Sequence, residues 1–393
     1  MSIQNLSSKW EISKFDSCIK KVKSPKRPSI PKEQYQATGQ FPIIDQSSEF
    51  ICGWTDSTES VIDDNLPVII FGDHTRIFKY VDFPFAAGAD GTKILHPNDD
   101  ILGPLFFYYA LLNLDVPNKG YNRHYKYLRE FSVTFPISKG EQIAIVWVLR
   151  AVQEAREARR REAALERERK AALMDFLFTH GTHGEPRQQT EIGEVPQNWL
   201  VCKLKDVANI LMGQSPPGET YNTSGDGKPL INGPVEFGAE HPTPIQWTIK
   251  PTKVCKTGDI LFCVRGNTTG RMNIADREYC IGRGIAAING KPAISDTDFV
   301  RCLLEKEVLK IYQIAVSGGS TFPNIGGSQL NNYQIAVPPF PEQKEIATAI
   351  GCCKAKIATL EQEAALLEEL FRAMLEELMT GRLSTLPLVE GAT

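Results

Sequence analysis

The chain has 393 residues, 42% of them hydrophobic and 23% charged, with a net charge of −3. That composition is of an ordinary globular protein with room for two or three domains, and the acidic balance argues mildly against a nucleic-acid binder. No apolar run reaches membrane-spanning length, MSIQNLSSKWEISKF holds no signal-peptide core, and nine scattered cysteines form no CxxC pair, so the expected setting is a reducing cytoplasm.

The first half opens on a basic cluster, KKVKSPKR, with Lys20, Lys21, Lys23, Lys26 and Arg27. Such a cluster is either a solvated loop or a phosphate contact. Short β-type runs follow at VIIF (68–71), RIFKYVDF (76–83) and FSVTF (131–135), with a helix expected at FFYYALLNL (106–114). Exposed polar side chains are expected at His74 and Arg76, and in GYNRHYKYLRE (120–130) at Tyr121, Arg123 and His124. Residues 141–178 are rich in Ala, Glu and Arg, which favour a long helix, and His180 with Gly181 closes it. His180 and His183 lack the cysteine pair that zinc spacing would add, so no metal site is expected.

The second half repeats the first. LREFSVTFPI (128–137) and LNNYQIAVPPF (330–340) match at an offset of 202, and each runs into a long helix. Fainter matches join GQFPIID (39–45) to DGKPLIN (226–232) and VIIFGD (68–73) to LFCVRGN (261–267). GDILFCV (258–264), CIGRGIAAI (280–288) and YQIAV (333–337) read as strands, and 298–315 as a helix. The polar loops RGNTTGR and SGGSTFPNIGGSQLNN offer Arg265, Asn267, Thr268 and Arg271, and Asn324, Ser328 and Gln329. Arg, Asn and Gln can read base edges, while Ser and Thr hold phosphates; ordinary polar turns are the alternative.

The terminal helix, 342–379, places Ile346, Ile350, Cys353, Ile357, Leu360, Ala364, Leu367, Phe371, Met374 and Leu378 at alternating steps of four and three. That narrow stripe is a coiled-coil seam and calls for a long partner. The helix at 141–178 is the partner within the chain. Carrying the offset of 202 across gives it a seam of Ala144, Val148, Ala151, Ala155, Ala158, Glu162, Leu165, Arg169, Ala172 and Phe176. It is basic on balance, against an acidic terminal helix. Connectivity favours an antiparallel pair.

Catalytic motifs are missing from this picture. No GxGxxG or Walker phosphate loop occurs, and VPPF (337–340) puts Val337 where an amino-methyltransferase needs Asn or Asp. The expectation is a chain without a catalytic centre of its own.

At this point the paired FPISKGEQIAI (135–145) and PPFPEQKEI (338–346), the terminal LLEELFRAMLEELMTGRL (366–383) and GDILFCVRGNTTGRMNIADREYCIGRGIAAI (258–288) become specific. The chain resembles the specificity subunit of type I restriction–modification systems over essentially its whole length. The resemblance implies two target-recognition domains that each read half of a split site in double-stranded DNA, and a coiled coil that spaces them. It implies docking of two methyltransferase subunits on the helices, and of restriction subunits. S-adenosylmethionine, ATP and Mg would then sit on those partners, with no cofactor on this chain. The expected fold class is α+β with a pseudo-twofold internal repeat: recognition domain 1–136, spacer helix 137–182, recognition domain 183–338, spacer helix 339–381 and tail 382–393. A spacer of 38 residues would be about 57 Å long at 1.5 Å per residue, or about 17 base pairs. The alternative is a scaffold whose two domains bind proteins or small molecules instead of DNA.

Overall fold

A computed structural model describes residues 10–22, 27–88, 91–120, 122–317 and 322–385. Lys23, Lys26 and Tyr121 lie outside the described residues. The chain divides into two compact units, 1–160 with 361–393, and 161–360.

In the first unit, β1 (Trp10–Lys14) precedes β2 (Phe41–Ile44), β3 (Gly53–Thr55), β4 (Val61–Ile62) and β5 (Val68–Gly72). Then come β6 (Phe78–Val81), β7 (Phe85–Ala87), β8 (Thr92–Leu95), the helices α1 (Pro104–Leu112) and α2 (Tyr125–Leu128), and β9 (Ser132–Pro136). The strands form sheets of order β3-β2-β7-β4 and β6-β5-β8, plus the pair β1-β9. The uninterrupted apolar run of β5 is buried along its whole length, as expected of a strand covered on both faces. Pro104 opens α1, where a missing backbone N–H costs nothing. The 42-residue helix α3 (Lys139–His180) begins in this unit and continues into the next.

The second unit continues with β10 (Arg187–Thr190), β11 (Gly193–Pro196), β12 (Leu200–Lys203), α4 (Leu204–Val207) and β13 (Ala208–Met212). Next are β14 (Tyr221–Asn222), β15 (Lys228–Ile231), β16 (Gln246–Thr248), β17 (Ile260–Cys263), β18 (Met272–Ile274), β19 (Cys280–Ile281) and β20 (Ile285–Gly290). The unit is completed by α5 (Thr297–Ser317), α6 (Gly327–Asn331), β21 (Gln334–Val337) and the first part of α7 (Phe340–Met379). Its sheets are β14-β16-β15-β19 and β13-β20-β17-β18, with pairs β12-β21 and β10-β11.

The faint sequence repeat is a repeat of topology. β2 pairs antiparallel with β3 and parallel with β7; β15 pairs antiparallel with β16 and parallel with β19. β5 lies between antiparallel β6 and β8, as β17 lies between β18 and β20. The run 280–288, expected as one strand, is two: β19 pairs with β15, β20 with β17, and Gly282–Arg283–Gly284 makes the break.

Within each unit the long helices pair antiparallel. In the first, Arg156 contacts Glu368, and Arg159 lies 2.6 Å from Glu363. In the second, Lys356 lies 3.7 Å from Glu166, and Arg169 lies 3.5 Å from Cys353. Numbers rise on one helix as they fall on the other. The terminal seam faces inward as expected: Ile346, Ile350, Leu360, Phe371 and Leu378 are buried, and Ile357, Leu367 and Met374 half-buried. Its two ends enter domain cores. Ile346 and Ile350 join the core of the second unit, while Phe371 and Leu378, widened by Leu375 and Met379, join the core of the first.

The seam expected on α3 is one residue out. Ala151, Ala155, Glu162, Leu165, Arg169, Ala172 and Phe176 are exposed; Ile145, Leu149, Ala163, Glu166, Met174 and Leu177 are buried instead. The cause is a deleted residue. The strands repeat at 202, but Glu141–Gln142 matches Glu342–Gln343 at 201. One residue is about 100° around a helix, enough to select the wrong face. Both helices end at a glycine with left-handed backbone, Gly181 at φ +68° and Gly381 at φ +70°, where a side chain would be strained.

Candidate nucleic-acid interface

Four polar segments meet in the second unit. The loop after β17 folds back on itself: Thr269 donates from N–H and Oγ1 to Gly266 O at 3.0 and 2.8 Å, and Gly270 N–H donates to Cys263 O at 2.9 Å. Left-handed Gly266 and Gly270 make this tight loop possible. It leaves Arg265, Asn267 and Arg271 exposed and Thr268 half-buried.

The segment before α6 lies alongside. Arg265 and Asn324 form an antiparallel bridge, Gly266 N–H donates to Pro323 O at 2.8 Å, and Ile325 N–H to Val264 O at 3.0 Å. Ser328 and Gln329 are exposed, but Gln329 Oε1 accepts from Gly326 N–H at 2.9 Å and so caps its own helix. The third segment is the turn 282–284, joined by Val264 N–H to Gly284 O at 2.9 Å. The fourth follows β13, where Gln214 N–H donates to Ile281 O at 2.9 Å and Ser215 Oγ accepts from Arg283 N–H at 3.2 Å.

Arg265, Arg271 and Arg283 are all exposed there, and among the described residues none enters an ion pair. Unpaired guanidinium groups beside Asn, Gln, Ser and Thr can contact both phosphates and base edges. Arg283, Gln214 and Ser215 were not among the sequence candidates. An arginine held between two glycines within an apolar run was the available signal for the first. Nothing local marks the other two, which long-range pairing of β13 with β20 brings in.

The first unit uses several expected contacts internally. His124, expected on the surface, is fully buried. Its Nε2 accepts from Lys119 N–H at 3.2 Å, so Nδ1 donates to Asp73 O at 2.9 Å. Arg76 turns inward and donates to Val116 O at 2.7 Å. His74 N–H donates to Gln46 Oε1 at 3.0 Å, tying the β5–β6 turn to the segment after β2.

Two members of the basic cluster, Lys20 and Arg27, are paired where they stand. Lys20 pairs with Asp99 and, at 3.6 Å, with Asp100. Arg27 forks between Asp63, at 2.8 Å, and Asp64. The Lys20 hydrogen bond holds the Asp99 carboxyl below its usual range, and Arg27 does the same for Asp64. Lys21 remains exposed. Exposed Arg123 instead lines an open cleft of about 640 Å³ with Lys32, Lys93 and Asp73. Buried Asp73 accepts from Tyr125 N–H at 2.8 Å and lies 4.0 Å from Lys93.

Among the described residues no three His, Cys, Asp or Glu side chains are grouped to hold a metal ion. His180 stacks on Phe176, with ring centroids 4.7 Å apart, and His183 lies 3.5 Å from Glu345. No helix among the described residues is long and apolar enough to cross a membrane.

Taken together, this is a protein of two like α+β domains, each packed on paired long helices. Residues 196–369 match the model of a family described as the type I restriction modification DNA specificity domain. The chain is similar to specificity subunits of type I restriction enzymes. It is 36% identical over 217 residues to the MjaX specificity subunit of a type I restriction enzyme from Methanocaldococcus jannaschii, covering 54% of this chain and 50% of that one. It is 32% identical over 96 residues to the EcoR124I/EcoR124II specificity subunit of Escherichia coli, covering 24% of each. The chain thus spans about half the length, or less, of these curated relatives. Among solved structures, the S subunit of a type I restriction–modification system from M. genitalium aligns with 94% of this chain and 96% of its own, at a TM-score of 0.64 and 18% identity. A chain from a structure of a type I R-M system aligns with 94% of this chain and 97% of its own, at a TM-score of 0.57 and 22% identity. Both likenesses concern the fold.

Proposed function

We propose that this chain is the DNA sequence-specificity subunit of a type I restriction–modification complex. Each α+β domain reads one half of a bipartite site in double-stranded DNA, and the antiparallel helices set the gap between the halves. Methyltransferase subunits, two per complex, and restriction subunits dock on the helical region. S-adenosylmethionine, ATP and Mg belong to those partners, and the assembly works in the cytoplasm.

The observation that carries this reading is the repeated topology. Two domains that share a set of strand pairings, one of them matched to a DNA specificity domain, suit a target read in two parts. The near-neutral net charge fits as well. Where partner subunits surround the duplex, this chain need not supply all the phosphate contacts that dominate affinity.

The test is binding of the purified complex with methyltransferase subunits to a pool of randomised duplexes. Selection should recover one bipartite sequence, with affinity falling as salt rises. Equal retention of every duplex would defeat the proposal.

A further inference from the structure

The turn Gly282–Arg283–Gly284 is held more tightly than its exposure requires. A methyl group at Gly282 would lie 2.2 Å from Asn232 Oδ1, and one at Gly284 would lie 2.5 Å from Asn232 O. Real Cβ atoms do not come that close, so backbone at the end of β15 imposes Gly284, while at Gly282 the Asn232 side chain would have to move. From the other side Gly213 presses in: a methyl there would meet Gly282 O at 2.2 Å. The backbone is then pinned from several directions. Gly282 N–H donates to Ile231 O at 2.8 Å, Arg283 N–H to Ser215 Oγ at 3.2 Å, and Gly284 O accepts from Val264 N–H at 2.9 Å. The one side chain this turn presents is Arg283, which is exposed.

A fixed backbone suits base reading better than phosphate holding. A phosphate contact tolerates a mobile side chain, because charge alone supplies most of its energy. A bidentate contact to a base edge needs the guanidinium fork aimed to within about 0.5 Å, and a backbone already set confines the ordering cost to the side chain's own rotamers. Arg265 and Arg271 stand at the two ends of the loop between β17 and β18, whose backbone is also hydrogen-bonded, but neither lies between two glycines.

The first unit supplies a contrast. Gly88 N–H donates to Ile44 O at 2.9 Å, the counterpart of Gly282 to Ile231, and a methyl at Gly88 would lie 2.6 Å from Asp45 Cβ. The sequence from Gly88 to Gly91, GADG, holds no arginine.

We infer that Arg283 is a specificity-determining residue that reads a guanine, through O6 and N7, in the half-site contacted by the second domain. This rests on the DNA-recognition reading given above. The experiment is selection from randomised duplexes by the complete complex with methyltransferase subunits, carrying wild-type chain, Arg283→Ala or Arg283→Lys. Thermal unfolding of each variant checks that the domain is intact. With wild type, one half-site should contain a guanine at a fixed position. With Arg283→Ala, preference for that guanine should fall by about 5- to 150-fold while the other half-site is unchanged. Arg283→Lys keeps the charge and should retain overall affinity with weaker discrimination at that position. Uniform weakening on every duplex, unaltered preference, or loss at a base pair without guanine would each overturn the assignment. A wild-type complex without any sequence preference would instead overturn the DNA-recognition reading itself.

Discussion

Gln142 and Gln343 do the same work in their two units. Each is buried at the start of a long helix, and each donates from Nε2 to the carbonyl of the proline that ends the preceding strand region, Pro136 O at 2.9 Å and Pro338 O at 3.0 Å. Their Oε1 atoms accept from the backbone just ahead of a domain helix, Gly103 N–H at 2.8 Å and Asp296 N–H at 3.0 Å. One side chain thereby fixes strand, long helix and domain helix together.

Replacing Gln343 by Leu should therefore destabilise the second unit. The change strands Asp296 N–H, Pro338 O and Ile294 O, the last of which also accepts from Gln343 at 3.1 Å. A buried polar group left unsatisfied costs about 1–3 kcal/mol, so a loss of about 2–4 kcal/mol is expected. Denaturant unfolding of the full chain measures it, and a loss near zero would contradict the proposed role.

Glu305 is the charged counterpart of that joint, reaching from α5 to both long helices. It pairs with Lys170 of α3 and, at 2.8 Å, with Lys354 of α7. Burial pushes its carboxyl up, but Lys354 and Lys170 more than offset this and the net shift is downward. A depressed carboxylate pKa contributes stability above the unfolded value, near 4.3, and loses it as pH falls through the folded value. Glu305→Gln should flatten this acid limb. It should also cost about 1–3 kcal/mol at neutral pH, because two lysines lose their counter-charge. Urea titrations of both proteins across the acid range give both quantities.

The register of α3 can be tested with two substitutions. Ile145→Ala empties a fully buried position and should cost about 2–5 kcal/mol. Leu165→Lys changes a side chain that is 64% exposed and should stay within about 0.5 kcal/mol. The seam expected from an offset of 202 predicts a substantial loss at Leu165, so thermal shifts of the pair separate the two registers.

Adding seven residues to each long helix, at positions that face one another, keeps both seams in phase. The proposed ruler should then lengthen by about 10 Å, or about 3 base pairs. Mapping modified bases in cells with each version should show a longer gap between unchanged half-sites. An altered half-site with the old gap would reject helix length as the determinant.

Much of the architecture was legible because its cause is local. The seam Ile346 to Leu378 follows from side-chain spacing on a helix, and it faces inward as its period demands. The strands at 68–71 and 131–135 follow from apolar runs bounded by turn residues. The α3 seam failed for a traceable reason. The strand repeat was carried across a one-residue deletion that the Glu-Gln pair itself reveals. The candidate interface was half legible. Loops 265–271 and 322–329 could be picked by composition, whereas Ser215 and Arg283 needed a partner segment that no local pattern names.

The sequence by itself determined a twofold repeat of α+β domain and long helix, since periodicity and strand runs are written residue by residue. Only the tertiary structure decided which polar groups are free to act. Arg27 is matched by Asp63 and Asp64, Lys20 by Asp99, and His124 by the backbone of Asp73, all partners remote in sequence. Arg283 stays exposed because the turn that carries it is wedged against Asn232 and Ser215. Charge and hydrogen-bonding capacity belong to the residue, but whether they are spent inside the fold depends on neighbours that folding alone brings within reach.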